Sequence, residues 1–183
     1  MTVSPSSGSE TTLKPTDFAA VPIAAVVLTY NSAEDLPQCL IGLAAQRGVD
    51  LRVVVVDNNS HPDARAFMES KFLEFFPDGA ILSAGEKTPP EVRHLFLRND
   101  KNSGYSSGNN IGARLAVEAG CDAILIVNPD VRLSDAGYMA GLWQEMRQYP
   151  DCAVGASRIL SLKGINENPL RELGFWEELF WFR

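Results

Sequence analysis

Two oxygen-bearing side chains, Asn128 and Asp130, flank a proline directly after the apolar run Ala123-Ile124-Leu125-Ile126-Val127. The run has the length and the β-branched, aliphatic make-up of a buried strand. Pro129 has no N–H for a sheet ladder, so the strand must stop before it. An acid leaving the carboxyl end of a buried parallel strand stands where open α/β sheets take their ligands. Hard oxygen ligands of this kind suit Mg²⁺ or Mn²⁺ carrying phosphate. Asn-Pro and Pro-Asp are also ordinary turn pairs, and on this stretch alone a plain turn is the simpler reading.

Other apolar runs end the same way. Thr29-Tyr30-Asn31 closes one, Asp57-Asn58-Asn59-Ser60 closes a second, and Asn102-Ser103-Gly104-Tyr105 follows a third. In a parallel sheet these ends lie along one edge, so groups far apart in sequence converge into one ligand crevice. Asp57 leaves a run of four valines, where a carboxylate needs a strong partner to offset its desolvation. A ligand with N–H or hydroxyl donors, such as a pyrimidine base and ribose, would supply one. The backbone N–H groups of the following turn would supply another. Gly104 and Gly108 permit close backbone approach, and a helix beginning near Ser106 would aim N–H groups at an anion. The loop has neither the G-x-G-x-x-G spacing of a dinucleotide fold nor a P-loop. Lys101 could pair with a phosphate or stay solvated.

These ends must be held by regular elements. Ile23 to Tyr30 reads as a strand buried on both faces. Ser32, with Asp35 three residues on, marks a helix start, and the helix runs to about Gln46 with Leu36, Leu40 and Leu43 inward. A strand from Leu51 to Asp57 precedes a helix from Pro62 to Phe76 with Phe67, Phe72 and Phe75 as packing residues. Pro77 to Pro90 reads as a loop. Val92 to Arg98 is a strand, and the helix after it buries Ile111, Leu115 and Val117. The strand before Asn128 comes next, then a helix from Ser134 to about Tyr149 and a strand from Cys152 to Ile159. Strands alternating with helices predict an α/β domain built on a mostly parallel sheet.

The totals agree with one globular domain. The chain has 183 residues, 45% of them hydrophobic and 21% charged, which suffices for one core. A formal charge of −7 argues against a nucleic-acid partner. No run is long and apolar enough to span a bilayer, and the first twenty residues lack a secretory pattern. Cys39, Cys121 and Cys152 lack metal-ligand spacing and read as reduced core thiols. The compartment read from this is the cytoplasm. Residues 1–21 read as a disordered lead-in, rich in Ser, Thr and Pro.

Taken in order, Val26-Val27-Leu28-Thr29-Tyr30-Asn31, Val55-Val56-Asp57-Asn58-Asn59-Ser60, Asn102-x-Gly104-Tyr105-Ser106-x-Gly108-Asn109-x-x-Gly112 and Asn128-Pro129-Asp130-Val131 resemble the family 2 glycosyltransferases. The nearest subgroup is the rhamnosyltransferase-like one that builds bacterial surface polysaccharides. The resemblance implies a GT-A fold and an inverting, metal-dependent sugar transfer. The donor would be a UDP- or dTDP-sugar and the acceptor a saccharide or lipid-linked molecule. It places Thr29, Tyr30, Asn31, Asp57, Asn102, Gly104, Asn109 and Asn128 around the nucleotide-sugar. It places Asp130, the second acid of the family's D-x-D motif, on Mg²⁺ or Mn²⁺. Asn128 stands where many members carry the first acid.

The resemblance also demands a general base beyond that motif. Only 53 residues follow Asp130. The expected organisation is therefore a donor-binding domain over 22–160 and a short aromatic remnant of the acceptor region over 161–183. Glu177 and Glu178 are base candidates there, although a solvated face of a terminal amphipathic helix is the simpler reading of them. Phe175, Trp176, Phe180, Trp181 and Phe182 suit packing on the domain, a homodimer contact, or peripheral contact with the inner membrane face. The competing expectation is a catalytically silent, nucleotide-binding fragment that acts through partners.

Overall fold

The computed structural model describes residues 20–161 and 163–165. Most of the expected lead-in over 1–21 and of the aromatic tail over 161–183, Glu177 and Glu178 included, lies outside the described residues. The elements are β1 Pro22–Thr29, α1 Leu36–Ala44, β2 Asp50–Asp57, α2 Pro62–Phe75, β3 Ala80–Ser83, β4 Leu95–Arg98, α3 Tyr105–Glu118, β5 Ala123–Val127 and α4 Tyr138–Met146. The strands form one sheet in the order β3-β4-β2-β1-β5, and every pairing is parallel. The α/β expectation is met. β1 therefore has β2 on one side and β5 on the other, so the sheet's topological switch lies between β1 and β5. Ligands of open sheets bind outside the carboxyl ends at such a switch.

The valine-rich strands form because each is buried on both faces. Ala24 to Val27 and Val55 to Val56 have no solvent exposure. One face, with Val26, Val54, Val56, Leu95 and Leu97, packs against Ile111 and Leu115 of α3. Gly112 makes that approach close: a Cβ there would stand 2.4 Å from Cγ1 of Val26. The other face is roofed by α1 and α2, where Phe72 meets Phe96 edge-on at 5.8 Å. Full burial of each such large side chain contributes about 1.5–3 kcal/mol. Arg98 fastens α2 to β4 by donating Nε and Nη2 to the two carboxylate oxygens of Glu69, at 2.6 and 2.8 Å.

Several expected boundaries shift. α1 starts at Leu36 rather than at Ser32, because Asn31 sits at φ +55° and Pro37 occupies the first turn. Met68 and Phe72 of α2 and Phe76 at its C-cap, spaced four apart, face inward, whereas Phe67 is exposed and Phe75 only half-buried. The stretch expected as a loop contains β3, whose Ala-Ile-Leu-Ser run borders β4 at the sheet edge. β4 begins at Leu95, three residues late, and Val92 packs on the core from the loop. Val117 is 65% exposed, since the glycines at 108 and 112 turn a neighbouring face of α3 inward. Cys39 is buried, but Cys121 and Cys152 are only half-buried.

The chain divides into two compact units, Met1–Met139 and Ala140–Arg183. α4 begins in the first and ends in the second. In the second unit no strand forms over 152–159. That stretch holds Gly155 and two alanines, which pack poorly in a pleated surface, and Val154 is 84% exposed. Gly155 lies against Met146, and the Ser161 N–H donates to the Ile165 carbonyl at 2.8 Å.

Candidate functional site

A cleft of about 400 Å³ opens at the carboxyl ends of the strands. It is lined by Leu28 and Thr29 of β1, by Tyr30, Ser32 and Asp35 between β1 and α1, and by Asn58 after β2. Asn102 comes from the loop before α3, Tyr105 from the first turn of α3, and Asn128, Pro129 and Asp130 from the turn after β5. Register explains the convergence. Thr29 pairs with Asp57 at the ends of β1 and β2, and β5 ends at Val127 opposite Val27, two residues short of that level. The Asn58 N–H donates to the Thr29 carbonyl at 2.8 Å, and the Asn99 N–H to the Asp57 carbonyl at 2.9 Å.

Of the residues expected around a nucleotide-sugar, Thr29, Tyr30, Asn102, Asn128 and Asp130 line this cleft. Thr29 is fully buried at the floor, its hydroxyl donating to the Val56 carbonyl at 3.4 Å. Tyr30 is 54% exposed at the rim. Gly104 caps α3 at φ +83°, a conformation glycine adopts without strain. α3 has no side-chain cap, so its first N–H groups remain available beside Tyr105.

Asn31, Asp57 and Asn109 are turned to other partners. Asn31 donates its N–H to Ser60 Oγ and accepts the His61 N–H on Oδ1, both at 2.8 Å. This zips the β1–α1 turn to the β2–α2 turn. Asp57 has no solvent exposure. Its carboxylate accepts the Ser60 hydroxyl and the Ser60 N–H, the latter at 3.3 Å to both oxygens. Nε of Arg65 lies 2.9 Å from Oδ2, as an ion contact out of line for a hydrogen bond. Arg65 also donates Nη2 to the Ser60 carbonyl at 2.8 Å. Both turn and cation thus compensate Asp57. Asn109 is 7% exposed, donates Nδ2 to the Tyr105 carbonyl at 3.1 Å, and leaves Oδ1 without a partner.

The β5 end is held differently. Asn128 and Asp130 are exposed, and the Tyr105 hydroxyl donates to Asn128 Oδ1 at 3.0 Å. Beyond Asp130, the chain is stitched onto α1 by Gln46. That amide donates to the Gly42 and Asp135 carbonyls at 3.1 and 2.8 Å and accepts the Met139 N–H at 3.0 Å. A Cβ on Gly42 would come within 2.8 Å of the Leu133 carbonyl, so this glycine permits the contact. Burial, then the nearby Asp130 carboxylate, pushes the Cys39 thiol up to about 12. That thiol stays protonated and inert.

Charge defines what the cleft can bind. Its lining holds two carboxylates, Asp35 and Asp130, and neither lysine nor arginine. Among the described residues, no cluster of three or more His, Cys, Asp or Glu is placed to hold a metal alone. Mg²⁺ and Mn²⁺ need no such cage, since one or two carboxylates plus substrate phosphates and water complete the shell. Sequence reasoning missed Ser32, Asp35, Asn58 and Tyr105 as lining residues, and Gln46 and Arg65 as supports. Tyr105 and Asn58 lie inside the strand-end motifs. Nothing in the sequence pairs Arg65 with Asp57 across a turn.

A model of Glycosyl transferase family 2 matches residues 24–183. The chain belongs to this family. The four strand-end motifs fall within the match, and the parallel sheet with its edge cleft is the GT-A arrangement expected of a family 2 glycosyltransferase domain. The chain is 25% identical over 150 residues to the low-salt glycan biosynthesis hexosyltransferase Agl10 of Haloferax volcanii, covering 80% of this chain and 40% of that protein. The chain thus spans less than half the length of this relative. Among solved structures, S. aureus TarS 1–349 in complex with UDP is similar with a TM-score of 0.47 and 19% identity, covering 69% of this chain and 33% of that one. The longer S. aureus TarS structure is similar with a TM-score of 0.45 and 20% identity, over 69% and 20% of the two chains.

Proposed function

We propose that this domain binds a UDP- or dTDP-sugar through a divalent cation and serves an inverting sugar transfer to a saccharide or lipid-linked acceptor in surface-polysaccharide synthesis. Rhamnose is the transferred sugar that the motif pattern favours. One observation carries the reading: a cleft at the sheet switch lined by two acids and no base. A nucleoside diphosphate entering it brings two or more negative charges toward Asp130, and that repulsion is lifted only by a cation. Mg²⁺ or Mn²⁺ fits, with Asp130 as its protein ligand and Asp35 and Asn128 at hand. The bound ion would stabilise charge on the departing diphosphate.

The chain's own residues do the remaining work. Thr29 and Asn58 form a floor whose polar atoms are already committed. Tyr30 and Tyr105 stand at the rim, where an aromatic face can cover a base or sugar. The uncapped first turn of α3 directs N–H groups toward the phosphates. A donor-hydrolysis assay with UDP- and dTDP-sugars tests the function. Metal-dependent release of nucleoside diphosphate that vanishes in Asp130→Ala is expected. Undiminished turnover in that variant would place the chemistry elsewhere.

A further inference from the structure

We propose that Asn58 is a positioning residue of the donor site: its side-chain amide clamps the 99–104 loop and so sets where Asn102 and the first turn of α3 meet the nucleoside diphosphate. The inference rests on the donor-binding reading above. Asn58 is 3% exposed at the floor of the cleft. Its Oδ1 accepts from Asn99 Nδ2 and the Ser103 N–H at 3.1 Å and from the Ser103 hydroxyl at 3.3 Å. Its Nδ2 donates to Asn102 Oδ1 at 2.8 Å and to the Gly104 carbonyl at 3.4 Å. An amide has two N–H groups and one oxygen, and all are occupied here. Asn58 therefore shapes the site without capacity left to bind ligand.

The rest of the loop has little else to hold it. Among the described residues, the side-chain hydrogen bonds that tie the 99–104 loop to the strand ends all terminate on Asn58. Asn102 and Gly104 share an internal bond, the Gly104 N–H donating to Asn102 Oδ1 at 3.0 Å. Gly104 meets nothing within 4 Å of where a Cβ would sit. A glycine hinge in open space does not fix the direction of a helix. The amide does so because its own backbone N–H is tied to Thr29 and its neighbour Asp57 takes the Asn99 N–H. Both arms are needed: the oxygen grips the loop's start and Ser103, and the nitrogen grips Asn102 and the carbonyl that opens α3.

Asn58→Asp separates the arms. It keeps size and the accepting oxygen but turns a second acceptor onto Asn102 Oδ1 and the Gly104 carbonyl. UDP affinity in Mn²⁺, read by calorimetry, should fall roughly tenfold, as loss of a buried amide pairing implies. Amide hydrogen exchange should rise over 99–108 while β1 and β2 keep their protection. Should that variant not fold, Asn99→Ala removes one donor from the oxygen arm and should weaken UDP by roughly two- to fivefold. Wild-type binding with unchanged affinity in the variant would overturn the role of Asn58, as would exchange rising equally through β1 and β2. Failure of the wild-type protein itself to bind UDP would instead overturn the donor-binding reading.

Discussion

The two sides of the cleft are built to different degrees. On the β1–β2 side, Asn31, Asp57, Ser60 and Arg65 form a closed network in which Asp57 has lost all contact with solvent. On the β5 side, Asn128 and Asp130 stand in solvent, and Asn128 is steadied by the Tyr105 hydroxyl. The first side is complete without ligand. The second presents a carboxylate with no cation among the cleft-lining residues. A rigid wall facing an under-compensated acid is the arrangement expected when an incoming ion supplies the missing partner.

The contrast can be broken most strongly at its rigid side. Arg65→Met leaves the Asp57 carboxylate buried with Ser60 alone, and should destabilise the fold by about 3 kcal/mol. Urea unfolding would measure this, and adding Asp57→Asn should restore part of the loss. Gly112→Ala comes next. Its Cβ must displace the stiff Val26 side chain, and the overpacking outweighs the gain in helix propensity, leaving a net loss of about 1–2 kcal/mol. Gly108→Ala meets the flexible tip of Leu28 and should lose less, so thermal midpoints should separate the two.

The open side should respond in binding rather than stability. Tyr105→Phe removes the hydroxyl on Asn128 and should weaken UDP–Mn²⁺ by roughly two- to fivefold in calorimetry, with an unfolding midpoint close to wild type. The smallest effect lies remote from both sides. His94 accepts the Val53 N–H on Nδ1 at 3.2 Å and packs against Phe76, and burial holds its pKa below 6.5. The neutral ring is the folded form, so its contribution is complete above pH 6.5 and declines as pH falls from there toward the lower folded value. Urea midpoints between pH 8 and 5 should show this decline in wild type and in Tyr105→Phe alike.

The strands and their polar ends were legible because β1, β2 and β5 are apolar runs that stop at Asn, Asp or Pro, and a parallel sheet has only one carboxyl edge. Thr29, Tyr30, Asn102, Asn128 and Asp130 converge for that reason. β3 was illegible because four residues at a sheet edge carry little period. The expected strand over 152–159 failed because apolar residues broken by glycine form a strand only when a neighbour pairs with them. The sequence marks Asp57 as a carboxylate in need of a partner; the Ser60 turn supplies one and Arg65 the other, and the place of Arg65 depends on how α2 leaves its turn. Asn58 and Gln46 act through tertiary hydrogen bonds that no local pattern announces.

The central claim is that a divalent cation joins the acidic cleft to a nucleoside diphosphate through Asp130. Calorimetric titration of wild type and Asp130→Ala with UDP, in Mn²⁺ and in EDTA, tests it most directly. Wild type should bind at least roughly tenfold more tightly with Mn²⁺, and Asp130→Ala should lose that difference while its unfolding free energy stays within about 0.5 kcal/mol of wild type. Equal wild-type affinity with and without the metal, or an undiminished metal effect in Asp130→Ala, would contradict it.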